Sequence, residues 1–247
     1  MGYEDNINNL APLETFNPAV FRGDEHTPQS LCDFILALAL VHNDFHDVLL
    51  AHVLLNEEQE KSGNIITPRT GLQNGLKNTA VRIQIGFVRE LLNLLTENRS
   101  ILECASFHTL QKSLSKQGKQ SWASLVSVAT ESSRPDSMAK VLIVIRNKVA
   151  FHYDPKQLSQ GFASAFLSKS PYGKPLISRG SVMRDTRFYF ADAAAQQYMR
   201  SKATQQPIID FFSGQGDLIQ NLNQAIFELV TRFINSRSPW QLFNVGA

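Results

Sequence analysis

A short run of residues in the middle of the chain combines side chains that could act on a phosphodiester. Arg146 and Asn147 follow five apolar residues, and His152 and Tyr153 come shortly afterwards. Arginine stays charged at all relevant pH values and offers a planar fork of donors to phosphate oxygens. Histidine changes its protonation near neutral pH. An imidazole that moves protons and a guanidinium that stabilises charge on phosphorus oxygens together could cleave RNA without a metal.

This run is predicted to form the end of a helix over residues 138–153, because Pro155 disfavours helical geometry at Asp154. In a last helical turn, the helix dipole would favour a protonated His152. Arg146 lies six residues before His152, so the two side chains point about 120° apart and lie about 9 Å apart along the axis. They do not converge within one helix. The chemistry therefore predicts a homodimer in which the 138–153 helices of two copies line a shared cleft.

The segment Ile145–Tyr153 resembles the signature of the HEPN superfamily, which is Arg, four to six residues and then His, commonly with a polar residue after the Arg. Five residues intervene here, and Asn147 is the polar one. The resemblance implies an all-α bundle that dimerises through the motif helices. It also implies a metal-independent ribonuclease, used as a toxin with an antitoxin partner or in antiviral defence. The residues expected at the site are Arg146, His152 and Asn147 for catalysis, with Lys148 and Tyr153 supporting substrate binding.

Structural interpretations of the same residues stay open. His152 is in helical register with Ile145 and Val149, so it could be a buried histidine. Arg146 could be an ion-pair partner, for instance of an acid on the first helix. If both hold, the motif stabilises a dimer and cuts nothing, as in a non-catalytic HEPN-like interaction or ligand-binding module.

Two further polar clusters give weaker signals. His42 and His46 share a helix face at metal-ligand spacing, but a third ligand would have to come from elsewhere, with His52, Glu57 and His108 as candidates. We favour a structural or solvated face over a metal site, and no cofactor is expected. Residues 171–190 also contain several cationic and aromatic residues. These could form a flap that contacts RNA, but we favour an ordinary loop. These residues are Arg179, Arg184, Arg187, Tyr172 and Tyr189.

Composition limits the class of protein. The chain has 247 residues, of which 43% are hydrophobic and 19% charged, which excludes disordered and low-complexity classes. A net charge of +2 argues against a broad electrostatic nucleic-acid binder, and no DNA partner is predicted. Two cysteines, a polar start and a longest apolar run of only Phe34 to Val41 predict a cytoplasmic protein without a membrane span.

The elements that must position these residues are predicted to be helices. Thr27-Pro28 and Thr67-Pro68 begin two long amphipathic helices, the first running to about Lys61. We expect one domain over residues 1–247. Its parts are an irregular arm at 1–26, core helices at 27–170, a non-helical insertion at 171–190 and C-terminal helices at 191–247. Shorter helices are expected at about 101–115, 121–131, 156–169, 191–202 and 216–235, with a small hairpin pairing 176–178 with 187–190.

Overall fold

The described part of the chain is almost entirely helical, as a computed structural model shows for residues 14–62, 67–130, 137–150, 152–171, 174–179, 181–182, 186–204, 206–212 and 217–242. The all-α prediction is therefore confirmed. The helices are α1 (Gln29–Ser62), α2 (Pro68–Glu97), α3 (Arg99–Leu102), α4 (Ala105–Ser113), α5 (Lys116–Thr130), α6 (Met138–Ile145), α7 (Pro155–Phe162), α8 (Tyr189–Lys202), α9 (Gln206–Phe212) and α10 (Asp217–Arg237). Wide π-turns follow α6 at Arg146–Ala150 and α7 at Ala163–Leu167.

Contacts between residues divide the chain into two compact units. The first comprises Met1–His46, Leu91–Glu131 and Asp217–Ala247, and the second comprises Asp47–Glu90 and Ser132–Gly216. The long helices α1 and α2 each contribute residues to both. The prediction of a single domain stays a prediction.

The first unit has an aromatic core. Phe107 of α4 is buried between Phe34 of α1 and Trp122 of α5, with ring centroids 6.0 and 5.5 Å away. The segment before α1 also packs on this unit, because the two-residue strands Glu14–Thr15 and Gln241–Leu242 pair antiparallel. The arm, predicted at residues 1–26, is thus held against this unit from residue 14 onwards, and residues 1–13 lie outside the described residues.

A buried carboxylate fixes the start of α5 in this unit. Glu228 of α10 accepts hydrogen bonds from the Ser115 backbone N–H at 2.8 Å, from the Ser115 hydroxyl at 2.6 Å and from the Gln224 amide. A Cβ at Gly118 would overlap the carboxylate, so the site needs glycine there. Burial raises the pKa of Glu228, but the Ser115 and Gln224 hydrogen bonds outweigh it, and the pKa is lowered on balance.

We expect this carboxylate to make folding sensitive to acid. A carboxyl group whose pKa is lower in the folded chain stabilises it above the unfolded pKa, and that contribution is lost as the pH falls through the folded value. The free energy of unfolding in urea should thus fall between about pH 5 and pH 3, and Glu228→Gln should flatten that slope. The exposed Glu103→Gln is the matched control. Equal slopes in the two variants would refute this role for Glu228.

The second unit is built around the α7–α8 pair. A Cβ at Gly161 of α7 would overlap the carbonyl oxygen of Ala194, so glycine permits the close approach of the two helices. Ser137 caps the start of helix α6, because its side chain accepts from the Lys140 N–H at 3.2 Å. Its buried face is Ala139, Leu142 and Ile145.

Several predicted boundaries need correction. The predicted helix at 101–115 is two helices, because Cys104 leaves helical geometry and its sulfur accepts from the Phe107 N–H to begin α4. Helix α5 starts at Lys116, earlier than predicted. The hairpin is confirmed only as one antiparallel bridge between Ser178 and Arg187, since the chain is helical again from Tyr189.

One helix bears on the membrane prediction. By length and composition, α1 would be able to cross a bilayer from Gln29 to Asn56, with a mean hydropathy of 1.4. The core helices of soluble proteins pass the same test, so one such helix is weak evidence. The described residues give no clear sign of a membrane protein.

Candidate functional site

The predicted motif lies on the π-turn that follows α6. Regular α-helix ends at Ile145, the π-turn ends at Ala150, and His152 lies in a bend beyond both, so the prediction of a helix to residue 153 is wrong. Phe151 lies outside the described residues. Because a π-turn takes in more residues than an α-turn, the spacing of 120° derived for an α-helix does not apply between Arg146 and His152. His152 also does not lie in a last helical turn.

Asp154 accounts for this early end of the helix. Its carboxylate accepts from the backbone N–H groups of Lys156 at 3.0 Å and Gln157 at 3.3 Å, and so caps α7, whose first residue is Pro155. It also accepts from Lys148 Nζ at 3.0 Å, and this hydrogen bond lowers the pKa of Asp154. Lys148, predicted to bind substrate, is thus paired within its own chain.

Arg146 is held from two sides. Its Nη1 donates to Asn147 Oδ1 at 3.1 Å, and its Nη2 lies 3.8 Å from Glu90 Oε1. The side chain keeps 29% of its surface exposed. The ion pair that the sequence left open is therefore present, although its acid lies on α2 rather than on the first helix. The hydrogen bond from Nη1 also joins two of the predicted site residues, Arg146 and Asn147.

The imidazole and the phenol of the motif lie at the surface. His152 is exposed, and Tyr153 exposes 73% of its surface, so the interpretation of His152 as a buried histidine is wrong. Val149 is fully buried instead, where it packs with Ala195 and Tyr198 of α8. Within the motif, the buried apolar residues Val149 and Ala150 thus lie among polar side chains that solvent reaches.

One histidine of the pair on α1, His42, has a structural partner. His42 Nε2 is hydrogen-bonded to Asn223 Oδ1 of α10 at 2.8 Å. Across the described ranges, no three side chains of His, Cys, Asp or Glu are grouped so that they could hold a metal ion. Glu57 lies outside the described side chains. The hydrogen bond to Asn223 therefore supports the structural interpretation of His42.

Two residues of the insertion pack against α2 instead of forming a free flap. Arg187 forms an ion pair with Asp192 at 3.0 Å, and Tyr189 donates to the Pro68 carbonyl at 3.1 Å. The ring of Tyr189 and the guanidinium of Arg187 occupy the space that Cβ atoms at Gly71 and Gly75 would need. The α2 glycines are therefore required for contact with the insertion. Of the other flap residues, Arg179 is exposed, and Tyr172 and Arg184 lie outside the described residues.

A cavity of about 910 Å³ opens in the second unit beside this contact. Its walls come from the first turns of α2, one face of α8, residues 174–178 and Phe166. On α8 the lining residues Ala193, Gln196 and Arg200 lie on roughly the opposite face from Ala195 and Tyr198, at about 100° per residue. No residue of the Arg146–Tyr153 motif lines the cavity, so it is a separate candidate site.

No protein-family model, curated protein or solved structure matches this chain. Both candidate sites are therefore assigned from the geometry of the chain itself. The cavity was missed in the sequence because four separate segments form it. One signal was present, since α2 carries small and polar residues at helical spacing at Gly71, Asn74, Gly75 and Asn78.

Proposed function

We propose that this protein is a HEPN-like, metal-independent endoribonuclease that acts on RNA as a homodimer. The observation that carries the proposal is that His152 and Arg146 both reach solvent at the end of one helix, while Val149 between them anchors the turn. Two cysteines in 247 residues suit a cytoplasmic setting. A toxin or defence role, with an antitoxin that restrains it, belongs to the same proposal.

The roles of the side chains follow from their contacts. His152 would carry protons between the 2′-hydroxyl, the leaving 5′-oxygen and solvent, which requires an imidazole that solvent and substrate can reach. Arg146 would stabilise the charge on the phosphate oxygens. Asn147 accepts from Nη1 and so restricts the rotation of the guanidinium. Tyr153, which exposes 73% of its surface, offers a ring and a hydroxyl to a nucleotide.

The homodimer part of the proposal has its own support. Val141, Ile143 and Val144 of α6 remain only half-buried in a single chain, although all three are apolar. They belong to the helix that leads directly into the motif. A second copy packed on this face would bury them and place two sets of Arg146 and His152 side by side.

RNA cleavage in the presence of a chelator tests the proposal. We expect the purified protein to cut single-stranded RNA in excess EDTA and to leave a 2′,3′-cyclic phosphate or its hydrolysis product. DNA of the same sequence should stay intact because it lacks the 2′-hydroxyl. Light scattering should give about twice the chain mass of 27.7 kDa. Cleavage that requires a metal, or equal cutting of DNA, would overturn the mechanism.

A non-catalytic module is the second candidate, and the Arg146 contacts favour it. The guanidinium already lies 3.8 Å from Glu90 and donates to Asn147, so its charge is partly balanced by its own chain. In that case RNA would bind to the dimer and remain uncut. A gel-shift measurement on the same RNA separates the two candidates, because a shift without cleavage products supports the module.

A further inference from the structure

One face of α2 exposes large apolar side chains over much of its length. Leu72 and Leu76 each expose 43% of their surface, and Ile83 exposes 36%. At 100° per residue these three positions lie within about 40° of one another, so they form one stripe along the helix. Gly71 and Gly75, which contact the insertion, lie to one side of this stripe. Within the part of the chain that the structure describes, the stripe is left largely open to solvent.

The stripe has a basic end and an acidic end. Arg69 is exposed about one turn before Leu72, and Glu90 is exposed about two turns beyond Ile83. Both lie on the face of the stripe, and about 30 Å of helix separates them. Each also interacts within its own chain, and for Glu90 that interaction is with Arg146 at 3.8 Å. These charges therefore set the direction of a contact, whereas the apolar residues supply its strength.

The order of these residues makes the stripe complementary to itself in the antiparallel direction. Packing of two α2 helices about a twofold axis between Thr79 and Ala80 would pair each half of the stripe with the other half of the second copy. The pairs are Leu72 with Phe87, Leu76 with Ile83 and Arg69 with Glu90. The steps of three and four residues between the exposed positions are those of a coiled-coil seam. A parallel arrangement would place like charges opposite each other, which disfavours it.

We infer that α2 is a second contact surface between copies of this chain, on which two exposed stripes pack antiparallel. The inference goes beyond the proposed function, in which the dimer forms through α6. Contacts through α2 would join such dimers as the protein concentration rises. They would also bring Arg69 of the partner subunit to Glu90, the carboxylate that lies 3.8 Å from Arg146. The partner would then compete with Arg146 for this carboxylate, so association through α2 would change the charge around the motif.

Cross-linking of cysteine variants tests both the contact and its direction. Full-length Arg69→Cys and Glu90→Cys chains are produced together and treated with a short bismaleimide over a range of concentrations. Both carry Cys104→Ser, because serine keeps the cap of α4, and the other native cysteine is buried. We expect a 69–90 cross-link, which must join two chains since each chain carries only one of the two cysteines. Arg69→Cys alone should give no 69–69 cross-link, because like positions would lie about 30 Å apart.

Charged substitutions locate the contact on the stripe. Leu76→Glu in both chains should lower the yield of the 69–90 cross-link at least tenfold, because two carboxylates would meet opposite apolar side chains. Ile83→Glu is the second variant and should have the same effect. The matched control is Leu40→Glu, since Leu40 is an equally apolar and exposed residue that lies on α1. Its yield should equal that of the parent pair, and circular dichroism should show that all three variants are folded.

Any of three results would overturn the inference. The first is that no 69–90 cross-link forms at any concentration. The second is a 69–69 cross-link from Arg69→Cys alone, which would mean that the helices do not pack antiparallel. The third is that Leu40→Glu lowers the yield as much as Leu76→Glu and Ile83→Glu do. The readout uses neither RNA nor the α6 face, so it is independent of the proposed ribonuclease.

Discussion

The His152→Ala variant is expected to cleave RNA at least about 100-fold more slowly than the wild type, because general acid–base catalysis contributes roughly 10²–10⁴-fold. The imidazole is exposed and lies beyond the last hydrogen-bonded turn of its helix. Its loss should therefore leave the thermal unfolding midpoint within about 1 °C, since exposed substitutions change stability little. The measurement is the initial rate of cleavage of a labelled RNA in EDTA, with unfolding followed by circular dichroism.

A second exposed histidine supplies the matched control. His26 has a side chain that is 87% exposed and lies in the first unit, away from the motif in sequence. His26→Ala should cleave at the wild-type rate. Arg146→Lys should also be impaired, because an ammonium group cannot reproduce the planar fork that donates to Asn147 and that, in the proposed mechanism, would bind a phosphate. If His152→Ala and His26→Ala cleave equally fast, His152 is not catalytic.

The Phe107→Ala variant is expected to lose about 3–5 kcal/mol of unfolding free energy. Phe107 is 1% exposed, and its ring lies between Phe34 and Trp122, so it joins three helices of the first unit. Truncation removes the buried ring and leaves a cavity that rings from α1 and α5 cannot fill without moving. Urea denaturation followed by tryptophan fluorescence, to which Trp122 beside this ring contributes, would measure the loss.

Phe227→Ala is the control for this prediction. Phe227 lies on α10 and exposes 56% of its surface, so its truncation should cost well under about 1.5 kcal/mol. A similar loss in both variants would mean that the ring cluster around Phe107 does not dominate the stability of the first unit.

The long helices were predictable from the sequence because their signals are local. The proline-containing starts at Thr27 and Thr67 predict α1 and α2 nearly to the residue. The short helix α9 was missed, since Gln206–Phe212 is too brief to show a period. The pairing of Glu14–Thr15 with Gln241–Leu242 was missed because the two segments lie at opposite ends of the described chain, and no local signal in the sequence links them.

The candidate site was predictable in composition but not in geometry. The residue types at Arg146, Asn147 and His152 are plain in the sequence. The wide turn carries Arg146 and Asn147 but not His152, and it is followed by Asp154, which caps the next helix and also accepts a hydrogen bond from Lys148. Glu90, the partner of Arg146, lies more than fifty residues away on another helix, so only the folded chain could identify it.

Helix α8 contacts both the motif segment and the cavity of the second unit. One face packs on Val149 beneath the motif, and the other faces the cavity. Because cores are densely packed, a displacement of α8 by a molecule in the cavity would be transmitted to Val149. If a molecule in the cavity changes the affinity of the motif for its ligand by some factor, thermodynamic reciprocity requires that the motif ligand change the affinity of the cavity by the same factor.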